Sequence, residues 1–237
     1  MAETKSTSQS QERMYEERAA EYDALIDAED ADGTLRSKLL ELVALKDKRV
    51  ADIGAGTGRL ARWVAPLAAH VHLVDRAKPM LEVARTHLQR EGHSAKVDIH
   101  AADARKLPLE DDCSDIALAG WVFGHFRHWM PEGWKAEVDT AIAEMERIVV
   151  GGAPLVVIET LGTGHETPRQ HTGLDEYFAH LESLGFTREW VRTDYAFADV
   201  DAACETMGAF FGAALVEKIR ANRWSRVPEC TAIFLRE

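Results

Sequence analysis

The spacing of apolar residues changes several times along the chain, and each change marks an element. From about Gln11 to Ile26 the run ERMYEERAAEYDALI has helical spacing, which the acidic stretch Asp27–Gly33 interrupts. Thr34 is positioned to cap a second helix through LRSKLLELVAL, with Leu35, Leu39, Leu42 and Val43 on one face. After Leu45 short apolar runs alternate with amphipathic ones. RVADI, VHLVD, KVDIHAAD, DIALAGWVF and APLVVIET read as strands. RLARWVAPLA, PMLEVARTHLQREG and WKAEVDTAIAEMERIV read as helices, the last two closed by Gly92 and Gly151-Gly152. This alternation predicts βαβ units and a parallel sheet, and strands rich in Val, Ile, Leu and Ala suit burial on both faces. The end of the chain differs. There the spacing predicts a helix GLDEYFAHLESLGF, a strand TREWVRTDYAF, one long helix DAACETMGAFFGAALVEKIRAN and a final strand VPECTAIFLRE.

No repeat or linker cuts the 237 residues into two domains. The expected organisation is a mobile tail and N-terminal helix over 1–33, followed by a single α/β domain over 34–237. Apolar residues make up 46% and charged residues 29%, the balance of a globular chain. Twenty-eight basic against forty acidic side chains give a net charge of −12, which argues against a protein that grips nucleic acid over a broad surface. Cys113, Cys204 and Cys230 are too few and too scattered for a disulfide framework or a zinc site, so a reducing, cytoplasmic setting is expected. Residues 1–13 lack the apolar core of a signal peptide, and no run reaches the roughly 18 apolar residues of a membrane span, so no membrane partner is expected.

The most informative segment is Val50-Ala51-Asp52-Ile53-Gly54-Ala55-Gly56-Thr57-Gly58, which ends the first core strand and opens a helix. Glycines there permit a tight turn and let a ligand approach the main chain, while the helix start offers free N–H groups to a carboxylate. A dinucleotide fingerprint would place its third glycine where Arg59 stands. Asp52 also disfavours a diphosphate and favours an ammonium group. Asp75 closes the strand VHLVD roughly 20 residues beyond Gly54, where an acid accepts ribose hydroxyls in open α/β sheets. Asp103, followed by Ala104, ends KVDIHAAD and can accept an adenine amino hydrogen bond. Three acids at successive strand ends beside a glycine loop point to a ligand site at the carboxyl edge of the sheet.

These residues resemble the class I S-adenosylmethionine-dependent methyltransferases, in the small-molecule branch similar to the menaquinone and ubiquinone biosynthesis enzymes. VADIGAGTG resembles that family's first motif and LVDRAKPMLEVAR its second. AADARKLPLEDDCSDIALAGWVFGH resembles the third and fourth, and MERIVVGGAPLVVIET the helix, glycine turn and fifth strand. Val150 replaces the usual proline of that turn. The likeness runs from about Tyr15 to Thr160. It implies a Rossmann-like, doubly wound, seven-stranded sheet, mostly parallel, with an antiparallel last strand and a helical N-terminal extension. It also implies S-adenosyl-L-methionine as cofactor, with Tyr15, Asp52, Gly54, Ala55, Gly56, Asp75, Arg76, Met80, Asp103, Ala104 and Trp121 around it. Asp75 would take the ribose, Met80 would lie under the adenine, and Tyr15, on a helix that lids the cofactor, would reach its carboxylate. No Asn-Pro-Pro-Tyr run follows the fourth strand, which speaks against methylation of planar nitrogens in DNA or glutamine.

Trp121, Phe123, Phe126 and Trp129 follow that strand and are candidates to wall an apolar acceptor pocket. Among the histidines His125, His128, His165 and His171, His125 is the best placed general base, with an ordinary pKa of about 6.5. Their spacing gives no metal site. The expected function is methyl transfer to an O, N or C nucleophile of a small molecule. The alternatives are a nicotinamide-dependent oxidoreductase, which Arg59 and Asp52 disfavour, and a non-enzymatic cofactor-binding protein of the same fold.

Overall fold

In the computed structural model the described residues are 19–170 and 172–237. Helix α1 (Ala19–Ala28) and α2 (Thr34–Leu42) precede the sheet. Tyr15, the start of the first helix and the tail expected over 2–11 lie outside the described residues. Thr34 does not cap α2. Gly33 holds the cap position in a left-handed conformation, and the buried Asp30 carboxylate accepts from the N–H groups of Leu35 and Arg36 instead. An acid in the preceding turn thus supplies the bonds that the free N–H groups require.

The core then alternates as the apolar pattern predicts: β1 (Arg49–Ile53), α3 (Arg59–Val64), β2 (His70–Asp75), α4 (Lys78–Arg90), β3 (Val97–Ala101), β4 (Ile116–Gly120), α5 (Gly124–Trp129), α6 (Trp134–Ile148) and β5 (Leu155–Thr160), with the short helix α5 standing where a loop is expected. Next come α7 (Asp175–Ser183), β6 (Thr187–Arg192), β7 (Tyr195–Ala196), α8 (Val200–Phe211), α9 (Ala213–Asn222), β8 (Arg226–Val227) and β9 (Cys230–Arg236). Seven strands form one sheet in the order β3-β2-β1-β4-β5-β9-β6, and β9 runs antiparallel to both its neighbours. This is the doubly wound sheet with an antiparallel last strand.

Two expected elements divide. TREWVRTDYAF yields β6 and then β7, which leaves the main sheet to pair with β8. The long helix breaks at Gly212, whose φ of 80° with ψ of −178° is a conformation reserved for glycine. Alternation along each strand assigns its side chains to opposite faces. Val50 joins Leu60, Leu73, Leu81, Leu35 and Leu39 on one side, whereas Ala51 and Ile53 join Ala117, Met145, Tyr177 and Phe234 on the other. A smaller cluster of Leu25, Tyr195, Met207, Leu215, Ile219 and Val227 ties α1, α8 and α9 together above the strand ends. No helix among the described residues is long and apolar enough to cross a membrane.

Candidate active site

Parallel strands end on one edge of the sheet, and the β1–α3 turn opens a cleft there. Gly54, Gly56 and Gly58 all have left-handed φ, at 68°, 55° and 86°. The N–H groups of Gly54 and Ala55 both donate to the carbonyl of Val74, which folds the turn over the end of β2. A Cβ on Gly54 would stand 2.2 Å from Cγ2 of Val122, so this glycine is required first by the neighbouring strand end.

Asp52 is 1% exposed. Its Oδ2 accepts from the Ala61 N–H at 3.0 Å, while Oδ1 has no partner. Burial, with some repulsion from Asp75, raises its pKa to about 7. Arg59 lies beside it on the same small cavity, together with Gly54, Ala55, Gly56 and Thr57. Its Nη1 donates to Glu29 at 2.8 Å, its guanidinium sits 4.5 Å from the Trp121 ring centre, and its buried Nη2 is unpartnered. One cavity therefore holds an orphaned carboxylate oxygen and an orphaned guanidinium nitrogen. That pair suits the ammonium and carboxylate of an α-amino acid.

The larger part of the cleft is lined by Asp75, Arg76, Met80, Asp103, Ala104, Trp121, His125 and Trp129, besides the glycines. Asp75 Oδ2 accepts from Gly56 N–H at 2.8 Å and Oδ1 from Ala77 N–H at 2.7 Å. These bonds fix the turn, and burial raises the carboxyl's pKa above its ordinary value. Met80 is buried against the cleft in the first turn of α4. The Arg76 guanidinium lies 4.8 Å from the Trp129 ring centre. Asp103 stands two residues beyond the end of β3, gripped on both oxygens by Arg105 at 2.8 and 2.6 Å, which lowers its pKa. Any adenine amino group would share that carboxylate with Arg105.

His125 lies in the first turn of α5 and not in an open loop. Its ring stacks on Trp129 with centroids 4.8 Å apart. Burial, with the nearby positive groups of His128 and Arg76, lowers its pKa to about 4, well below the ordinary value expected from sequence. The imidazole is neutral at pH 7 and thus able to accept a proton, though weakly basic. Of the four aromatics, Trp121, Phe126 and Trp129 reach the cleft, whereas Phe123 is fully buried core.

A second cavity adjoins the cleft and shares Tyr22, Trp121 and His125 with it. Glu159, Tyr195, Phe210, Phe211 and Glu229 line the remainder. Sequence reading missed these residues and the role of Arg59. Only Glu159 gave a local signal, an acid at the end of the apolar run LVVIET. Glu229 comes to the same edge because β9 is antiparallel, so that its start meets the end of β5, with Thr231 paired to Thr160. Separately, His70, His72 and Asp98 each bring one donor atom within 4.8 Å of the others, at the end of β2 remote from the glycine turn.

Residues 51–157 match the family described as "Methyltransferase domain". The chain is 30% identical over 162 residues to an uncharacterized methyltransferase, YcgJ, of Bacillus subtilis, covering 68% of this chain and 57% of that protein. It is 32% identical over 151 residues to the demethylmenaquinone methyltransferase of Thermus thermophilus, covering 62% and 64%. It thus spans about three-fifths of the length of these relatives. The crystal structure of YcgJ superposes with a TM-score of 0.55 at 19% identity, covering 84% of this chain and 95% of that one. Glycine turn, strand-end acids, sheet order and these matches agree: residues 51–157 match a methyltransferase domain, and the chain resembles the class I S-adenosylmethionine-dependent methyltransferases of the menaquinone and ubiquinone biosynthesis branch.

Proposed function

We propose that the protein transfers the sulfonium methyl group of S-adenosyl-L-methionine to an oxygen, nitrogen or carbon nucleophile of a small molecule. The observation that carries this reading is that Asp52 and Arg59 line one small cavity beside the glycine turn, each with a buried polar atom, Asp52 Oδ1 and Arg59 Nη2, that lacks a partner. A nicotinamide dinucleotide has no α-amino acid to satisfy both atoms. When bound, the cofactor supplies an electrophilic methyl on a positively charged sulfur.

The residues of the chain bind, orient and screen. Asp52 and Arg59 hold the amino-acid end, Asp75 the ribose, and Met80 packs against the base. Trp121 and His125 line both the cofactor cleft and the adjoining cavity, which makes their position the boundary where donor and acceptor meet. Alignment of the two reactants there is the main catalytic contribution, because a sulfonium needs no activation. Aromatic walls keep water away, and His125, uncharged at neutral pH, is the group available to take a proton from an acidic acceptor.

Calorimetry with S-adenosylhomocysteine and with NAD tests the reading. Binding of the first and not the second is expected, followed by S-adenosylhomocysteine formation with members of a metabolite panel. Preference for NAD would overturn it.

A further inference from the structure

Building on the small-molecule methyltransferase reading, we propose that the acceptor carries an ammonium or similarly compact cationic group, and that Glu229 and Glu159 form the subsite that holds it. The subsite lies in the second cavity, of about 260 Å³, which adjoins the cofactor cleft at Trp121 and His125. Glu229 is 1% exposed. Its Oε1 accepts from the Thr160 hydroxyl, and its buried Oε2 has no hydrogen-bond partner. The Thr163 side chain also stands near the Glu229 carboxyl and favours its charged form. Glu159, 3% exposed, accepts from Gly124 N–H at 3.0 Å and from the Tyr177 hydroxyl at 2.8 Å, both on Oε1. The third carboxylate of the wall, Glu29, is already paired with Arg59.

Charge decides the ligand class. Among the described residues the wall of this cavity holds three carboxyl groups and neither Lys nor Arg. An anionic acceptor would find no Lys or Arg there to pair with. A neutral apolar one would leave a buried oxygen unbonded, which native proteins avoid. A cation satisfies Oε2, makes a charge-assisted hydrogen bond and gains from the rings of Tyr22, Trp121, Tyr195, Phe210 and Phe211. Burial and the neighbouring Glu29 push the Glu229 pKa up to about 8, and burial pushes Glu159 to about 7, so in the free protein both are substantially protonated at neutral pH and an arriving cation draws out the ionised form with release of a proton.

The test compares three probes of one shape, phenethylamine, 2-phenylethanol and 3-phenylpropionate, by calorimetry on the free protein and on protein saturated with S-adenosylhomocysteine. Phenethylamine should bind at least about tenfold more tightly than the alcohol, and the carboxylate most weakly, as expected for one hydrogen bond to a charged group. Glu229→Gln, which keeps an acceptor for Thr160, should lose about tenfold for the amine and leave the alcohol and S-adenosylhomocysteine within about twofold. Glu159→Gln, an independent variant, should weaken the amine in the same direction. No amine binding to protein that binds S-adenosylhomocysteine, equal affinity for amine and alcohol, or an indifferent Glu229→Gln variant would each overturn the subsite and leave the methyl-transfer reading standing. Failure of the wild type to bind S-adenosylhomocysteine would remove that reading, while the amine preference of the free protein would still decide the subsite.

Discussion

Asp52→Asn should make the protein more stable and a poorer binder of its cofactor. Burial raises the folded-state pKa of Asp52 from 3.8 to about 7. That shift of about 3 units, at ~1.4 kcal/mol each, penalises the ionised form by ~4 kcal/mol. The sign follows from proton counts. Between the two pKa values the folded state binds more protons than the unfolded state, so wild-type stability falls as pH rises from about 4 to about 7 and then levels off. Asparagine keeps an oxygen for the Ala61 N–H and carries no charge. Its amide N–H groups still lack an acceptor, which costs ~1–2 kcal/mol. A net gain of ~2–3 kcal/mol at pH 8, turning into a net loss of ~1 kcal/mol near pH 4, is the expected outcome of urea unfolding in that pH range. In the same variant S-adenosylhomocysteine affinity should fall by ~1.5–3 kcal/mol, the worth of a hydrogen bond to a charged group. Parallel stability curves for the two proteins, or unchanged affinity, would refute the assignment of Asp52 as a buried carboxylate awaiting an ammonium group.

Three further outcomes follow from the cleft. Gly54→Ala forces a Cβ against Val122 at a left-handed φ, so cofactor binding and melting temperature should both drop, and Val122→Ala in the same chain should recover part of the loss; normal calorimetry for the single variant would show that the turn tolerates a side chain. Asp75→Ala should weaken S-adenosylhomocysteine by ~1.5–3 kcal/mol, and the effect should vanish with a ligand lacking both ribose hydroxyls; an equal loss for both ligands would assign Asp75 to holding the Gly56 and Ala77 N–H groups alone. His125→Ala should lower turnover by roughly 10²–10⁴-fold if His125 takes the acceptor's proton. With a pKa of about 4 the ring stays neutral, so wild-type turnover attributable to it should be flat from about pH 6 to 9. An inflection near 6.5 that disappears in the variant would contradict the lowered pKa, and near-normal turnover would remove His125 from the chemistry.

The sheet was legible because short runs rich in Val, Ile, Leu and Ala alternate with amphipathic helices, and part of the cleft lining because Gly54, Asp75 and Asp103 fall at strand ends in chain order. What escaped depends on partners distant in sequence. Asp30 replaces Thr34 at the start of α2 because a preceding turn aims its carboxylate at two free N–H groups. Arg59 reads as an interruption of a glycine motif until Glu29, thirty residues earlier, holds its Nη1 and leaves Nη2 unpartnered in the wall of the cavity that Asp52 also lines. Tyr195 and Phe210 reach the second cavity only because β7 leaves the main sheet and Gly212 ends α8.

Sheet order turns these scattered acids into a sequence in space. From β3 through β2, β1, β5 and β9 the strand ends present Asp103, Asp75, Asp52, Glu159 and Glu229, with Trp121 after β4 dividing the row. Along that row counter-charges thin out. Asp103 is gripped by Arg105 and its pKa is lowered, whereas Asp75 receives only backbone N–H groups and its pKa is raised. Asp52 and Glu159 rise to about 7 and Glu229 to about 8. A buried carboxyl without a counter-charge destabilises the folded protein and persists where a ligand supplies what is missing. Two such orphans, Asp52 Oδ1 and Glu229 Oε2, belong to residues of different cavities that both include Trp121; under the proposed function the first would meet the cofactor's ammonium group and the second a cationic acceptor. Under the proposed function the same electrostatic logic runs through both halves of the site: each carries a buried carboxyl that a positive charge would satisfy, and Trp121, which lines both, marks where a methyl group would cross.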